Sequence, residues 1–194
     1  MKILLTFFVL LFSSSVLADD ISDFEIEGIS VGDSLLDHVS EKEILTQIND
    51  NQYMYNYLNE DFGVVYLYDK LLTFDRVSFF VKPSDKNYII YSIKGSISYD
   101  DQLSECFIKQ REIEREISSN YLNTERITEE SEFSFDPSGE SITYNTIFLF
   151  ESLDHFRVAC TKYKKELKNK HNWEDSLQIL ITTTEVAEWF NNPL

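Results

Sequence analysis

Two Asp-His pairs are the first residues whose types could do chemistry: Asp37-His38 within SLLDHV and Asp154-His155 within SLDHF. An imidazole beside a carboxylate can act as a metal ligand with its support, or as a general base. Chain neighbours rarely converge on one ion, however, and nothing in the spacing brings the two pairs together. The plainer reading is two element boundaries with polar ends. Tyr53, Tyr55 and Tyr57 alternate in YMYNYL. On a strand they would form an aromatic row able to stack on sugar rings or grip a peptide, and they are the candidate ligand contacts. The bland alternatives are a half-buried sheet face or a helix end.

The chain has no His-Glu-x-x-His, no Gly-x-Ser-x-Gly, no phosphate-cradling glycine loop and no Cys-x-x-Cys. No residue is therefore assigned a catalytic, cofactor-binding or metal-binding role, and no cofactor is expected.

Cys106 and Cys160 are the only cysteines. Leu103, Cys106, Phe107, Gln110, Ile113, Ile117 and Tyr121 recur at helical spacing and form one mostly apolar face, so Cys106 points inward. HFRVACTKY alternates, with Phe156, Val158 and Cys160 on one side of a strand. A disulfide between Cys106 and Cys160 would pin the helix across the sheet. Buried free thiols and a reactive cysteine are its rivals.

An even cysteine count fits an oxidising compartment, and the first residues agree. Lys2 precedes an apolar run from Ile3 to Leu11 broken only by Thr6; Ser13, Ser14 and Ser15 then lead into Val16-Leu17-Ala18. Small residues at the −3 and −1 positions predict a signal peptide over residues 1–18, cleaved after Ala18. From Ile3 to Ala18 the stretch is 16 residues, shorter than the roughly 20 that a spanning helix needs. The expectation is a periplasmic or secreted protein with no transmembrane anchor after cleavage.

Acidic side chains number 34 against 17 lysines and arginines, for a formal charge of −17. Such a surface repels phosphate backbones, so no nucleic-acid partner is expected. KYKKELKNKH, with five lysines against one glutamate, could dock onto an acidic partner or a second copy of the chain, but reads more simply as a solvated connection. The acidic stretch TEESEFSFDPSGES reads as solubilising.

These residues need elements to position them. Gly28 and Gly32 give freedom to an opening turn. Asp33 or Ser34 caps a short helix, and Ser40 with Glu43 forms a capping box for a second; together they would place Leu35, Leu36, Val39, Ile44 and Leu45 on the core. GVVYLYDK, RVSFFVKPS and NYIIYSIKGSISY read as three strands, with a turn at Lys82-Pro83-Ser84-Asp85. A long helix runs from Asp100 and Asp101 to about Asn120. SEFSF and ITYNTIFLF flank a tight turn at Asp136-Pro137-Ser138-Gly139. The Cys160 strand follows, then the basic connection, SLQILITTT, and a last helix opened by Thr182 with Glu185. Short connections favour antiparallel pairing. The fold class expected is α+β, an antiparallel β-sheet with helices packed on one face and one helix-to-strand disulfide. After the signal it forms a single domain over 19–194, with a rival division into modules of about 19–100 and 101–194.

F-x-I-E-G-I-S-V-G-D-S-L-L-D followed by S-E-K-E-I, together with IYSIKGSISYDDQLSEC and VACTKY, resembles a family of small exported bacterial proteins from AT-rich genomes. The resemblance implies export and carries no activity, ligand or catalytic residue. More loosely, two helices followed by three strands is similar to small envelope-assembly proteins of the outer-membrane insertion machinery and to secreted inhibitors. The expected function is a non-enzymatic binding or interaction module of the cell envelope, its partner an envelope protein or a small ligand. The alternatives are an inhibitor of a hydrolase such as lysozyme or a peptidase, presenting Asp136 to Glu140, and a hydrolase built from scattered acids and histidines.

Overall fold

The computed structural model describes residues 20–51, 58–100, 102–121, 123–133, 136–171 and 173–192. The predicted signal segment and Tyr53, Tyr55 and Tyr57 lie outside the described residues. The chain opens with a 3-10 turn, Ile21–Asp23, and a two-stranded hairpin, β1 (Glu25–Ile26) and β2 (Ile29–Ser30). Glu27 and Gly28 at its tip have φ of 56° and 76°, as a two-residue turn between right-twisted strands requires. Glu27 also serves a distant segment: its carboxylate accepts hydrogen bonds from the backbone N–H groups of Leu72, Thr73 and Phe74 at 2.7 to 3.0 Å.

A second 3-10 turn, Leu35–Asp37, leads into α1 (Glu41–Asn51). The Ser40 hydroxyl accepts from the Glu43 amide at 3.4 Å, the contact the capping box predicts. Leu35, Val39 and Ile44 are buried, whereas Leu36 and Leu45 are 39% and 43% exposed, contrary to the expectation that all five face the core. The 3-10 turn is the reason for Leu36. At three residues per turn, Leu36 is rotated about 120° from Leu35, away from the side that Leu35 buries.

Strands β3 (Gly63–Leu67), β4 (Arg76–Val81), β5 (Ile90–Asp100), β6 (Glu125–Glu132), β7 (Ile142–Leu149), β8 (His155–Lys162) and β9 (Asp175–Thr182) form one sheet in the order β3-β4-β5-β9-β8-β7-β6. Every neighbouring pair is antiparallel. β5 pairs with β9, so a single sheet carries strands from both halves of the chain. The fold is α+β as the sequence predicts. The long helix α2 (Leu103–Asn120) packs on β8, β9 and β5 and buries Cys106, Gln110, Ile113 and Ile117 against them. Cys106 and Cys160 are joined in a disulfide with Cα atoms 6.0 Å apart.

Gln110, one turn beyond Cys106, is a polar residue in this interface. Its amide donates to the carbonyls of Tyr144 and Val158 at 3.0 and 3.2 Å, which satisfies it inside the core. Phe24 from the opening segment stacks on Tyr121 at a centroid distance of 4.4 Å and touches Phe150 and Phe156. The opening motif thus becomes the lid of the helix–sheet core.

Three boundaries differ from the sequence reading. β6 begins at Glu125, well before SEFSF, and runs into the stretch read as solubilising. It is an edge strand exposed on nearly every residue, so it shows no apolar alternation. The basic connection contains α3 (Lys165–His171), which buries nothing and has no apolar stripe to reveal it. Lys168 anchors it through an ion pair to Asp175 at 2.9 Å. The last helix, α4 (Thr184–Asn191), is capped by Thr183 rather than Thr182: the Thr183 side chain accepts from the Val186 amide. Thr182 is the last residue of β9, 2% exposed, with its hydroxyl bonded to that of Ser92 at 2.8 Å. Val186 and Trp189 of α4 pack with Phe80, Val64, Phe62 and Leu58 over one corner of the sheet face opposite α2.

Candidate functional site

Alternation along each strand sends one set of side chains toward α2 and the other to the opposite face. The α2 side holds Val77, Phe79, Ile93, Phe156, Val158, Cys160, Leu177, Ile179 and Ile181, all buried. The opposite face differs in kind. Across the sheet, Ser78 pairs with Lys94, Lys94 with Leu180, and Leu180 with Arg157. In the next row Arg76 pairs with Ser96, Ser96 with Gln178, Gln178 with Ala159, and Ala159 with Asn145. Arg76, Lys94 and Arg157 therefore share one face. At the usual strand spacing the Cα atoms of Lys94 and Arg157 stand about 10 Å apart, with Leu180 as an apolar floor between them.

The three cations are half-buried, and none makes an ion pair with a carboxylate among the described residues. Arg76 lies over the Tyr66 ring, 5.8 Å from its centroid. Burial, with Arg76 and Arg157 on either side, pulls the Lys94 ammonium down from 10.5 to about 7. Burial likewise holds Arg157 below the usual arginine range, partly offset by Glu129. A chain with twice as many acids as bases has here gathered three cations that no carboxylate among the described residues ion-pairs.

The polar atoms of this face carry a second signal. Five buried side-chain atoms have no hydrogen-bond partner among the described residues: Arg76 Nε, Ser78 Oγ, Ser96 Oγ, Asn145 Oδ1 and Arg157 Nε. All five belong to the two rows just described. Ser78, Ser96 and Asn145 are 1%, 6% and 3% exposed, and such orphans are costly. Elsewhere on the same face polar groups are paired: Thr143 with Thr161 at 3.2 Å, Asn145 Nδ2 with Ser131 at 3.0 Å, and Gln178 with Tyr163 at 3.2 Å. Aromatic rings rim the face at one end, where Trp173 lies 5.2 Å from Tyr163 and 5.8 Å from Phe133. At the other end stands the corner closed by Phe80 and Trp189.

The two Asp-His pairs fall in different settings. His38 is exposed at the end of the second 3-10 turn. His155 starts β8, on the cationic face, and burial together with Arg157 lowers it to about 4 against the opposing pull of Asp154. Asp154 is engaged elsewhere, accepting from the Thr184 amide and hydroxyl at 2.7 and 3.0 Å at the start of α4. No group of three metal-ligating side chains forms among the described residues. Asp136 accepts from Ser138 and Ser141, whose hydroxyls hold its carboxyl well below the usual range. It braces its own turn, and Glu140 is paired with Lys164 at 2.7 Å.

An open cleft of about 450 Å³ between α2 and β6 is lined by Arg111, Glu114, Arg115, Ser118, Ser119 and Arg126. Glu114 there is tied to Arg126 at 2.7 Å and to Thr146 at 2.7 Å.

Arg76, Lys94 and Arg157 were not singled out by the sequence reading. Each is one cation in a strand, and only the pairing of β4, β5, β9 and β8 assembles them. The available signal was phase: Lys94 and Arg157 interrupt Ile93-x-Gly95 and Phe156-x-Val158 on the face opposite the core. No protein-family model matches the chain, and no curated protein or solved structure matches it.

Proposed function

We propose that this is an exported binding module of the cell envelope, non-enzymatic, which uses the sheet face opposite α2 to hold an anionic ligand. The observation that carries the reading is Lys94, set on one sheet face with Arg76 and Arg157 and with no ion-paired carboxylate among the described residues, in a chain of formal charge −17. Clustered like charges raise the energy of the unliganded protein, and an anion seated among them removes that cost. The disulfide supports an oxidising compartment. None of the described helices is long and apolar enough to cross a membrane. Cleavage after Ala18 and release into the periplasm or medium complete the proposal, in line with the resemblance of the opening motif to exported proteins.

Two measurements test it. N-terminal sequencing of protein recovered outside the cytoplasm should begin at Asp19. Amide NMR shifts during titration with tricarballylate, a hydroxyl-free tricarboxylate, should saturate around Lys94, Leu180 and Arg157 and vanish in Lys94→Met. Shifts that stay linear, or that scatter over other surfaces, would refute the anion site.

A further inference from the structure

The orphaned atoms of the cationic face are of two chemical kinds. Arg76 Nε and Arg157 Nε are donors, which any carboxylate or sulfate oxygen can satisfy. Asn145 Oδ1 is an acceptor only, and the Asn145 amide nitrogen donates to Ser131. A simple anion has no proton to give it. Ser78 Oγ and Ser96 Oγ can donate or accept, so they fit either kind of ligand group. The ligand that completes this set carries an anionic group and hydroxyl donors on one skeleton.

The surroundings narrow the class. Tyr163 joins Gln178 on the polar face and packs against Trp173 in the aromatic rim, so flat rings stand beside hydroxyl and amide groups. Aromatic faces next to convergent polar side chains suit the weakly apolar face of a sugar ring. Leu180 supplies a further apolar surface between Lys94 and Arg157.

We infer that the face binds an acidic carbohydrate, a saccharide bearing carboxylate groups, with Arg76, Lys94 and Arg157 on its charges, Asn145 accepting from a ring hydroxyl, and Trp173 and Tyr163 against a ring face. This rests on the anion-binding reading above and adds the hydroxyl-bearing skeleton to it.

A three-ligand comparison on the disulfide-bonded protein tests it by calorimetry or NMR. The probes are a galacturonate trimer, tricarballylate and maltotriose, which offer charge with hydroxyls, charge alone and hydroxyls alone. The trimer should bind at least tenfold tighter than either of the others. Asn145→Ala should bring the trimer close to tricarballylate while leaving tricarballylate itself unchanged, which also shows that the variant's face is intact. If Asn145→Ala does not fold, Trp173→Leu supplies the same contrast. Equal affinity for trimer and tricarballylate, or loss of both in Asn145→Ala, would overturn the carbohydrate and leave the anion site standing. Maltotriose binding as tightly as the trimer, or no binding of any probe, would overturn both.

Discussion

Lys94 of β5 and Arg157 of β8 occupy the same register position, each paired with Leu180 on the strand between them. Two cations are thus fixed at a separation set by strand spacing, with a third, Arg76, on the diagonal. Nothing in packing demands this. Serine, threonine and leucine fill neighbouring positions of the same face without charge. The arrangement costs stability, and residues that do so are candidates for function.

Lys94→Met should therefore stabilise the protein while abolishing anion binding. The folded-state value of about 7 lies below the ordinary 10.5, so the unfolded chain takes up this proton first as pH falls from 10.5. Stability from this group is lost between 10.5 and about 7 and stays lost below. The gain in Lys94→Met should be on the order of 1 kcal/mol at neutral pH and disappear above the ordinary lysine range. Urea midpoints at pH 7 and pH 11 would measure it. A destabilised variant at pH 7 would mean that Lys94 is compensated in the folded protein.

His155 acts in a different pH window with the same sign. Its ring is lowered from 6.5 to about 4 by burial, then by Arg157. The unfolded state protonates as pH falls through 6.5 and the folded state only near 4, so stability is lost across that interval and the loss then levels off. His155→Gln should reduce the difference between pH 7 and pH 4.5 by about 1 kcal/mol, after allowance for partial exposure. Denaturant midpoints at the two pH values decide, and an unchanged difference would argue against a lowered His155.

Cys106 and Cys160 are separated by 54 residues. Opening that loop should cost about 4 kcal/mol in the chain-entropy view. The Cys106→Ala/Cys160→Ala double variant should show the loss in equilibrium unfolding, with the intact protein two hydrogens lighter by mass than its reduced form. Retained stability in the double variant would mean that α2 is held mainly by Ile113, Ile117 and Gln110.

Gly95 has a packing role. A methyl group there would stand 2.5 Å from the Cδ1 and Cε1 atoms of Phe74. Phe74 is 6% exposed and cannot swing freely, because Glu27 grips the backbone of residues 72–74. Gly95→Ala should cost about 1–3 kcal/mol. A thermal melt unaffected by the change would show that the loop yields.

Local signals in the sequence were enough for the core and not for the site. The helical face around Cys106 and the alternation around Cys160 were both readable, because burial on one side imposes a period. The start of β6 and the whole of α3 leave no such trace, because neither buries an apolar stripe. Two capped helical turns put Leu36 and Leu45 inward in the sequence reading, yet a 3-10 turn and the outer side of α1 expose them. The cationic face was invisible for a deeper reason: Arg76 and Arg157 lie in strands separated by β5 and β9, and their proximity exists only in the sheet order.

The most direct measurement is the Lys94 ammonium titration by side-chain NMR, with and without a saturating carboxylate ligand. A midpoint near 7 in the free protein, rising by more than one unit on ligand addition, is the predicted result. A midpoint at the ordinary lysine value in both states would contradict a cationic face held ready for an anion.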